Sequence, residues 1–428
     1  MQDLIFLSQR IPYPPNKGDK IRSFHFLQHL AAKYRVHLGF FIDDPADLAH
    51  VPAVRGLVGS LCAVPLNRRI KTLASLRGLA SGQALSLPYF FDRRMAGWVR
   101  RTMADLRPAA AFLFSSPMAQ YLLSGPRPAR VVMDFVDVDS AKWEQYAQRR
   151  RGPSAWLYRR EARRLLEFEK TVAAEFDAGI FVTPAERALF CSLAPSLADK
   201  VHAIENGIDA VYFSPDHLLA SPYPEGGPDL VFTGAMDYWP NVEAVRWFVA
   251  QVLPLLRQRL PALRFAIVGA NPAAEVGALA AAPGVAVVGR VPDVRPYVRH
   301  AAAVVAPLLT ARGLQNKVLE GMSMARPVVA TRQAYEGVAA EPGVHLLVCD
   351  DDPRRFAEAV LGVLGAPRAA EGMGRAARRR IVERYDWSSR FGCLDDLLRD
   401  PQAAGWIDGR RWEGSRNKLG VTGPISYE

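Results

Sequence analysis

Short apolar runs alternate with longer amphipathic segments along most of the chain, and this pattern constrains the fold most. Runs of this length are typical of buried strands, while the segments between them are long enough for helices. The alternation predicts βα units and parallel sheets rather than a β-sandwich or a helix bundle. The predicted strands span residues 4–8, 36–41, 111–114, 131–134, 178–182, 230–233, 265–268, 285–288, 304–306, 328–331 and 346–348.

Two large α/β domains account for the length of the chain. It has 428 residues, half of them hydrophobic, which is enough for two extended cores and argues against global disorder. A stretch rich in Pro and Gly, residues 221–228, separates the two series of strands. We predict an N-terminal domain over 1–210, a C-terminal domain over 211–385, a crossover helix over 386–399 and a tail of low order over 400–428.

The net charge of +11 favours anionic partners: nucleotides, phosphorylated substrates, nucleic acid or an acidic membrane surface. Nucleic acid is not expected, because the basic residues are dispersed and no recognised module interleaves them with aromatics. The four cysteines are too far apart for a metal knuckle, and we expect reduced, buried thiols. The N-terminus predicts a strand rather than a signal peptide, and we expect no segment that crosses a membrane.

A capping box is predicted where the fifth strand meets its helix. Thr183 would accept the amide of Glu186, whose side chain would return the bond, and Pro184 would take the first helical position.

The densest chemical signal lies in residues 307–331, where a strand end is followed by a loop with Gly313, a helix and another strand. A loop that leads into a helix N-terminus gathers unpaired amides and positive dipole, so it can seat an anion. Lys317 would add a full charge, and Glu320 on the same face could accept two ribose hydroxyls. The alternative is an ordinary surface ion pair between Lys317 and Glu320.

Two further loops follow strand ends. Gly234 and Ala235 follow the first strand of the second domain, where the absence of a Cβ at Gly234 permits close approach of a phosphate; the alternative is an ordinary βα turn. Gly18, Lys20 and Arg22 follow the first strand of the chain, and Gly18 could let this loop approach a phosphate; the alternative is a solvated charged turn.

No metal site is predicted. Asp137 and Asp139 are the nearest approach to a metal-binding Asp-x-Asp, but Asp139 could equally cap a helix beginning at Ser140. His25 and His29 have the spacing of a ligand pair on a helix, yet no third ligand is evident.

With these motifs the sequence resembles the GT-B glycosyltransferases of family 4, and more narrowly the bacterial sugar transferases associated with PEP-CTERM/exosortase and exopolysaccharide systems. The matching stretches are residues 12–22, 134–143, 206–209, 234–241 and 313–331. The resemblance implies two Rossmann-like domains facing across a cleft, with a C-terminal helix that returns to the N-terminal domain. It also implies metal-independent, retaining transfer of sugar from a nucleotide diphosphate to a glycan or lipid-linked acceptor. No cofactor is implied, since the nucleotide sugar is the substrate.

Residue roles follow from the same resemblance. Family members usually carry Glu-x7-Glu, and Glu320 matches the second Glu, which holds the donor ribose. Arg312 stands where the first Glu would be, so the sugar contact is not carried over. Lys317 and Asp137 are the candidate catalytic residues. The donor-binding candidates are Gly234, Ala235, Gly313, Lys317 and Glu320, and the acceptor or phosphate loop comprises Gly18, Lys20, Arg22 and Asp134.

A basic block with nearby aromatics spans residues 149–164 and could lie on an anionic membrane that carries the acceptor. The alternative is a solvated helix with buried aromatics. We therefore expect a cytoplasmic protein, with the inner face of the cell membrane as a further location. Two rival functions remain: a GT-B nucleotide-sugar epimerase, and a non-catalytic nucleotide-sugar-binding partner of a glycan assembly system.

Overall fold

The computed structural model describes residues 1–15, 18–148, 150–311 and 314–399. Arg312, Gly313 and the tail predicted from residue 400 therefore lie outside the described residues. The chain divides into two compact units. The first comprises Met1–Glu205 together with the segment that begins at Arg390, and the second comprises Asn206–Ser389.

The first unit is built on a seven-stranded sheet. Its strands are β1 (Asp3–Ser8), β2 (Arg35–Ile42), β3 (Ser60–Pro65), β4 (Ala110–Phe114), β5 (Arg130–Val136), β6 (Ala178–Phe181) and β7 (Val201–Ala203). Its helices are α1 (Gly18–Ala31), α2 (Val51–Arg55), α3 (Arg68–Ser75), α4 (Arg77–Ser81), α5 (Ser86–Tyr89), α6 (Arg93–Leu106), α7 (Gln120–Leu123), α8 (Asp139–Gln148), α9 (Pro153–Glu175) and α10 (Pro184–Leu193).

The second unit is built on a six-stranded sheet. Its strands are β8 (Asp229–Thr233), β9 (Arg264–Val268), β10 (Val285–Gly289), β11 (Ala303–Ala306), β12 (Val328–Thr331) and β13 (Leu347–Cys349). Its helices are α11 (Trp239–Trp247), α12 (Leu253–Arg259), α13 (Ala274–Gly277), α14 (Arg295–His300), α15 (Asn316–Ser323), α16 (Arg332–Tyr335), α17 (Pro353–Gly365) and α18 (Pro367–Arg384). The chain then returns to the first unit with α19 (Phe391–Leu398).

All strands in both sheets are parallel, and in each sheet the direction in which successive strands are added reverses once. The first has the order β3-β2-β1-β4-β5-β6-β7 and the second the order β10-β9-β8-β11-β12-β13. In each unit the second and third strands lie on one side of the first strand, and the later strands lie on its other side. In parallel sheets, ligands bind beyond the carboxyl ends of the strands at such a switch point. In the second sheet that point lies between β8 and β11.

Burial explains why these runs are strands. In β1, the residues Leu4, Ile5, Phe6 and Leu7 are all fully buried, so both faces of the strand are covered. A strand covered on both faces reads as a continuous apolar run, because helices from the crossovers lie on each side of the sheet.

The C-terminal helix α19 packs on the first unit through aromatic and charged contacts. The Phe391 ring stacks on His29 with centroids 4.0 Å apart, and the Asp395 carboxylate pairs with His29 and Lys33. The Leu397 carbonyl accepts a hydrogen bond from Arg130.

Some local expectations differ from the structure. Strands β3 and β7 were not predicted. β3 is a half-exposed edge strand, and β7 is an edge strand of three residues, of which only Val201 is buried. Thr183 does accept the Glu186 amide, but the Glu186 carboxylate accepts from the Val138 amide instead of returning the bond, so the capping box is half formed.

The prediction of buried thiols was wrong. The four cysteines are free, but three are only partly buried and Cys393 is exposed. None of the helices in the described part of the chain combines the length and the hydropathy that a membrane span requires.

Candidate functional site

A tight turn follows β8 in the second unit. The Gly234 amide donates to the Val268 carbonyl at 3.1 Å, which ties the end of β8 to the end of β9. A Cβ at Gly234 would lie 2.7 Å from Nδ2 of Asn241, so any side chain there would displace the Asn241 amide. A Cβ at Gly269 would lie 1.6 Å from the Gly234 carbonyl oxygen. The two glycines allow the ends of neighbouring strands to approach backbone to backbone.

Asn241 links this turn to Lys317. Asn241 is buried on α11, where its Nδ2 donates to the Ala235 carbonyl at 2.9 Å. Its Oδ1 accepts from Nζ of Lys317 at 3.1 Å. One amide therefore holds both the turn after β8 and the ammonium group on α15, which follows β11.

Lys317 is a buried cation. It is 8% exposed, and its Nζ lies 5.1 Å from the centroid of the Phe232 ring. Burial lowers the pKa of Lys317 to about 8, although attraction to Glu320 opposes the shift. A poorly hydrated ammonium group is suited to pairing with an anion.

Glu320 lies one turn further along α15 and is partly exposed. Its Oε2 accepts from the Thr233 hydroxyl at 3.3 Å. Burial raises the pKa of Glu320, while the Lys317 charge and the Thr233 hydrogen bond act in the opposite direction. Lys317 and Glu320 thus lie at the switch point of the second sheet rather than on an open helix surface.

Tyr212 and Arg295 extend the charged surroundings of Glu320. The Arg295 guanidinium lies 3.8 Å from the centroid of the Tyr212 ring, and the Tyr212 hydroxyl donates to Asp293 at 3.3 Å. Burial raises the pKa of Tyr212, with smaller contributions from Asp293 and Glu320.

The sequence assigned no role to Thr233, Asn241 or Tyr212. Asn241 ends the stretch 234–241 that carries part of the family resemblance, which was the available signal. Thr233 is the last residue of a strand, a position where polar residues reach the ligand edge of a parallel sheet.

Lys20 and Arg22 of the predicted acceptor loop form ion pairs with carboxylates of the first unit. Nζ of Lys20 lies 2.8 Å from both carboxylate oxygens of Asp47. Arg22 is fully buried and donates to both oxygens of Asp134, at 2.7 and 3.2 Å. Burial raises the pKa of Asp134, and the Arg22 charge opposes that shift. The structure therefore brings Arg22 and Asp134 together as a buried pair.

Gly18 begins α1, and nothing lies within 4 Å of the position that its Cβ would occupy. Close packing therefore does not require glycine at this position.

Asp137 and Asp139 flank one lysine. Nζ of Lys142 lies 2.6 Å from Oδ2 of Asp137 and 3.1 Å from Oδ1 of Asp139. Helix α8 begins at Asp139, beside the hydrogen-bonded pair Ser140 and Glu169. Within the described residues, no group of three or more His, Cys, Asp or Glu side chains is placed to hold a metal ion.

The predicted site residues are thus distributed over both units. Lys317, Glu320, Gly234 and Ala235 come together in the second unit, linked by Asn241. Gly18, Lys20, Arg22, Asp134 and Asp137 belong to the first unit. The candidates Arg312 and Gly313 lie outside the described residues.

The two parallel α/β units have the GT-B fold. Residues 227–366 match the sequence family described as "Glycosyl transferases group 1", a match confined to the second unit. The predicted fold class is confirmed by the two parallel α/β units and by solved structures similar over nearly the whole chain. The cleft between the units stays a prediction.

Three of the similar structures indicate which proteins share this fold. Sucrose-phosphate synthase from Thermosynechococcus elongatus has 17% identity and a TM-score of 0.64, covering 95% of this chain and 100% of that one. HepE of Anabaena, in complex with UDP-glucose, has 14% identity and a TM-score of 0.63, covering 93% and 99%. The apo form of the lipopolysaccharide outer core galactosyltransferase WaaB has 12% identity and a TM-score of 0.57, covering 92% and 99%. No curated protein matches the sequence.

Proposed function

We propose that the protein is a glycosyltransferase that moves a sugar from a nucleotide diphosphate to a glycan or lipid-linked acceptor. The observation that supports this most is the arrangement of Lys317, Asn241 and Glu320 at the switch point of the second sheet. The match of residues 227–366 to a glycosyltransferase family and the fold shared with HepE, solved with UDP-glucose, support the same activity.

The chemistry requires stabilisation of a leaving group. The bond between the anomeric carbon and the diphosphate oxygen breaks, a bond to the acceptor oxygen forms, and the acceptor hydroxyl loses its proton. The departing diphosphate gains negative charge, which the Lys317 ammonium would stabilise without reorganisation because Asn241 already holds it. The Glu320 carboxylate would accept the ribose hydroxyls and orient the nucleotide.

The finer features rest on the sequence resemblance. These proposals are retention, metal independence, membership of family 4, the link to PEP-CTERM/exosortase or exopolysaccharide systems, and a cytoplasmic location. Catalytic participation of Asp137 is also a proposal. Its carboxylate is held by Lys142, so any contact with an acceptor would have to compete with that ion pair.

The test is a panel of nucleotides and nucleotide sugars in EDTA, read first by thermal shift and then by nucleotide release with membrane extract as acceptor. We expect stabilisation by a nucleoside diphosphate and release that depends on the acceptor. Lys317→Ala should abolish both, whereas Lys170→Ala, on α9 of the first unit, should change neither. The absence of both stabilisation and release in the wild-type protein would contradict the proposal.

The same experiment separates the rivals. Conversion of the donor sugar without any acceptor would identify an epimerase or a hydrolase. Tight nucleotide binding without turnover of the donor, whichever acceptor is added, would identify a non-catalytic nucleotide-sugar-binding protein.

A further inference from the structure

We propose that the first unit docks on an anionic membrane through the outer face of α3 and α4, called here the α3–α4 face and defined by Arg69, Ile70, Leu73, Leu76, Arg77 and Leu79. This surface differs from the basic block at residues 149–164 that the sequence singled out. The proposal does not depend on sugar transfer, because it concerns a surface of the first unit and its test measures only binding to vesicles.

The first observation is an exposed apolar ridge. Ile70 is 62% exposed, Leu73 is 69% exposed and Leu76 is 51% exposed. Large side chains of this kind are seldom left in water in a row, and contiguous apolar patches mark interaction sites. Seven exposed large hydrophobic side chains come from residues 48–91: Leu48, Leu57, Ile70, Leu73, Leu76, Leu79 and Phe91.

The local backbone aligns these leucines. The Leu76 amide donates to the Leu73 carbonyl, and the Leu79 amide donates to the Leu76 carbonyl. Hydrogen bonds between residues three apart tighten the helix to about three residues per turn, so side chains at that spacing eclipse one another. These bonds at the junction of α3 and α4 bring Leu73, Leu76 and Leu79 closer to one line than a regular α-helix would.

The second observation is charge. Residues 48–91 contain no Asp or Glu, although the whole chain has 43 such residues. The same stretch contains Arg55, Arg68, Arg69, Lys71 and Arg77. At its borders, Lys71 pairs with Asp92 at 3.4 Å and Arg68 reaches Asp43 at 3.6 Å. The carboxylate of Glu161 contacts the stretch from the buried side. An apolar ridge interspersed with arginines and free of carboxylates complements an anionic lipid surface.

The third observation is that the scaffold holds this face in place from behind. Arg160 on α9 is buried and donates to the Gly78 carbonyl at 2.6 Å and to the Gln83 carbonyl at 3.1 Å. The neighbouring Glu161 accepts from the amides of Leu85 and Ser86 at the start of α5. Part of the basic block at 149–164 is therefore anchoring the α3–α4 face rather than meeting lipid.

The experiment measures co-sedimentation of the full chain with vesicles of phosphatidylcholine plus phosphatidylglycerol, and with phosphatidylcholine alone. We expect binding to the anionic vesicles that weakens as salt is added. Ile70→Ser with Leu73→Ser should reduce binding at least tenfold, since each buried methylene contributes roughly a fourfold factor. Arg69→Gln with Arg77→Gln should reduce it by about fivefold per arginine.

Two control variants test whether loss of any exposed apolar side chains, or of any exposed arginines, would weaken vesicle binding. Leu218→Ser with Val211→Ser removes exposed apolar side chains from the second unit, and Arg159→Gln with Arg163→Gln removes exposed arginines from α9; both should retain binding. All substituted side chains are exposed, and unchanged thermal midpoints would verify folding.

Three results would overturn the proposal. The first is no binding of the wild-type protein to anionic vesicles, and the second is loss of binding only in the α9 control. The third is self-association of the wild-type protein that the Ile70→Ser, Leu73→Ser variant abolishes while vesicle binding persists, because a second copy would then cover this face.

Discussion

The ammonium group of Lys317 donates to the side-chain oxygen of Asn241 over 3.1 Å, and the same amide donates its own NH2 to the Ala235 carbonyl over 2.9 Å. The two bonds fix the direction of the amide. In a flipped amide, Oδ1 of Asn241 would face the Ala235 carbonyl oxygen and Nδ2 would face the Lys317 ammonium group, so both hydrogen bonds would be lost. Asn241 therefore sets where the cation lies relative to the turn after β8.

Asn241→Ala should weaken binding of a nucleoside diphosphate. The substitution removes an oriented hydrogen bond to a charged group, which contributes about 1 to 3 kcal/mol. Isothermal titration of the variant against wild type measures the change, with Gln258→Ala, an exposed amide on α12, as control. Equal affinity in the Asn241→Ala variant would show that Asn241 does not position the cation.

Nucleotide affinity should fall as the solution becomes alkaline. The pKa of Lys317 is lowered to about 8, so the unliganded protein loses the ammonium charge above that pH and must take up a proton when it binds an anion. The affinity should then decrease by up to about tenfold per pH unit between pH 8 and 10. Lys317→Arg should flatten this dependence, because a guanidinium stays charged. A wild-type profile that is flat over this range would contradict the assignment.

Glu320 should confer a preference for ribose. If its carboxylate accepts the ribose hydroxyls, wild type should bind a ribonucleoside diphosphate more tightly than the 2′-deoxy analogue, by about 1 to 2 kcal/mol. Glu320→Ala should lose this difference. Thr233→Val, which removes only the hydroxyl that donates to Glu320, should keep most of it. An unchanged preference in Glu320→Ala would place the ribose elsewhere.

Gly234→Ala should impair nucleotide binding more than it impairs folding. The new methyl group would lie 2.7 Å from Nδ2 of Asn241, so the amide that holds Lys317 must move. Gly372→Ala is the matched control, because nothing lies within 4 Å of its added Cβ and it lies within α18. Alanine in a helix interior adds about 0.5 to 1 kcal/mol of stability, so the control should melt higher and bind normally.

The sequence predicted the sheets well because strands covered on both faces must be continuous apolar runs. The strand at residues 328–331 has the predicted bounds, whereas the two edge strands of the first sheet, β3 and β7, were missed. The closeness of Lys317 and Glu320 on one helix could be proposed from their spacing. The bridge through Asn241 could not, because it joins residues 76 positions apart in sequence.

The same limit applies to the first unit. Arg22 was selected in the segment after the first strand, and Asp134 in a stretch that carries the family resemblance. Their 112-residue separation hides the fact that they form a buried ion pair. Sequence patterns identify which residues carry charge; only the fold decides whether a charge meets a ligand or another side chain.

Glu169 provides a test of the scaffold around Asp137 and Asp139. The carboxyl is buried between α8 and α9, where it accepts from the Ser140 hydroxyl at 2.6 Å. Burial raises its pKa to about 8, although the Ser140 hydrogen bonds oppose the shift. In the unfolded chain the pKa is near 4.5, so between these values the folded protein binds more protons than the unfolded chain. The stability that Glu169 contributes is therefore complete below pH 4.5 and is lost as the pH rises toward 8.

Glu169→Gln should remove this pH dependence, because glutamine is neutral at every pH and can still bond to Ser140. At pH 8 the variant should be more stable than wild type by about 1 kcal/mol or more, and near pH 5 the difference should shrink. Chemical denaturation at both pH values measures it, with Glu167→Gln on the exposed side of α9 as control. A variant that is less stable than wild type at pH 8 would mean that Glu169 is ionised in the fold and holds Ser140 as a charged acceptor.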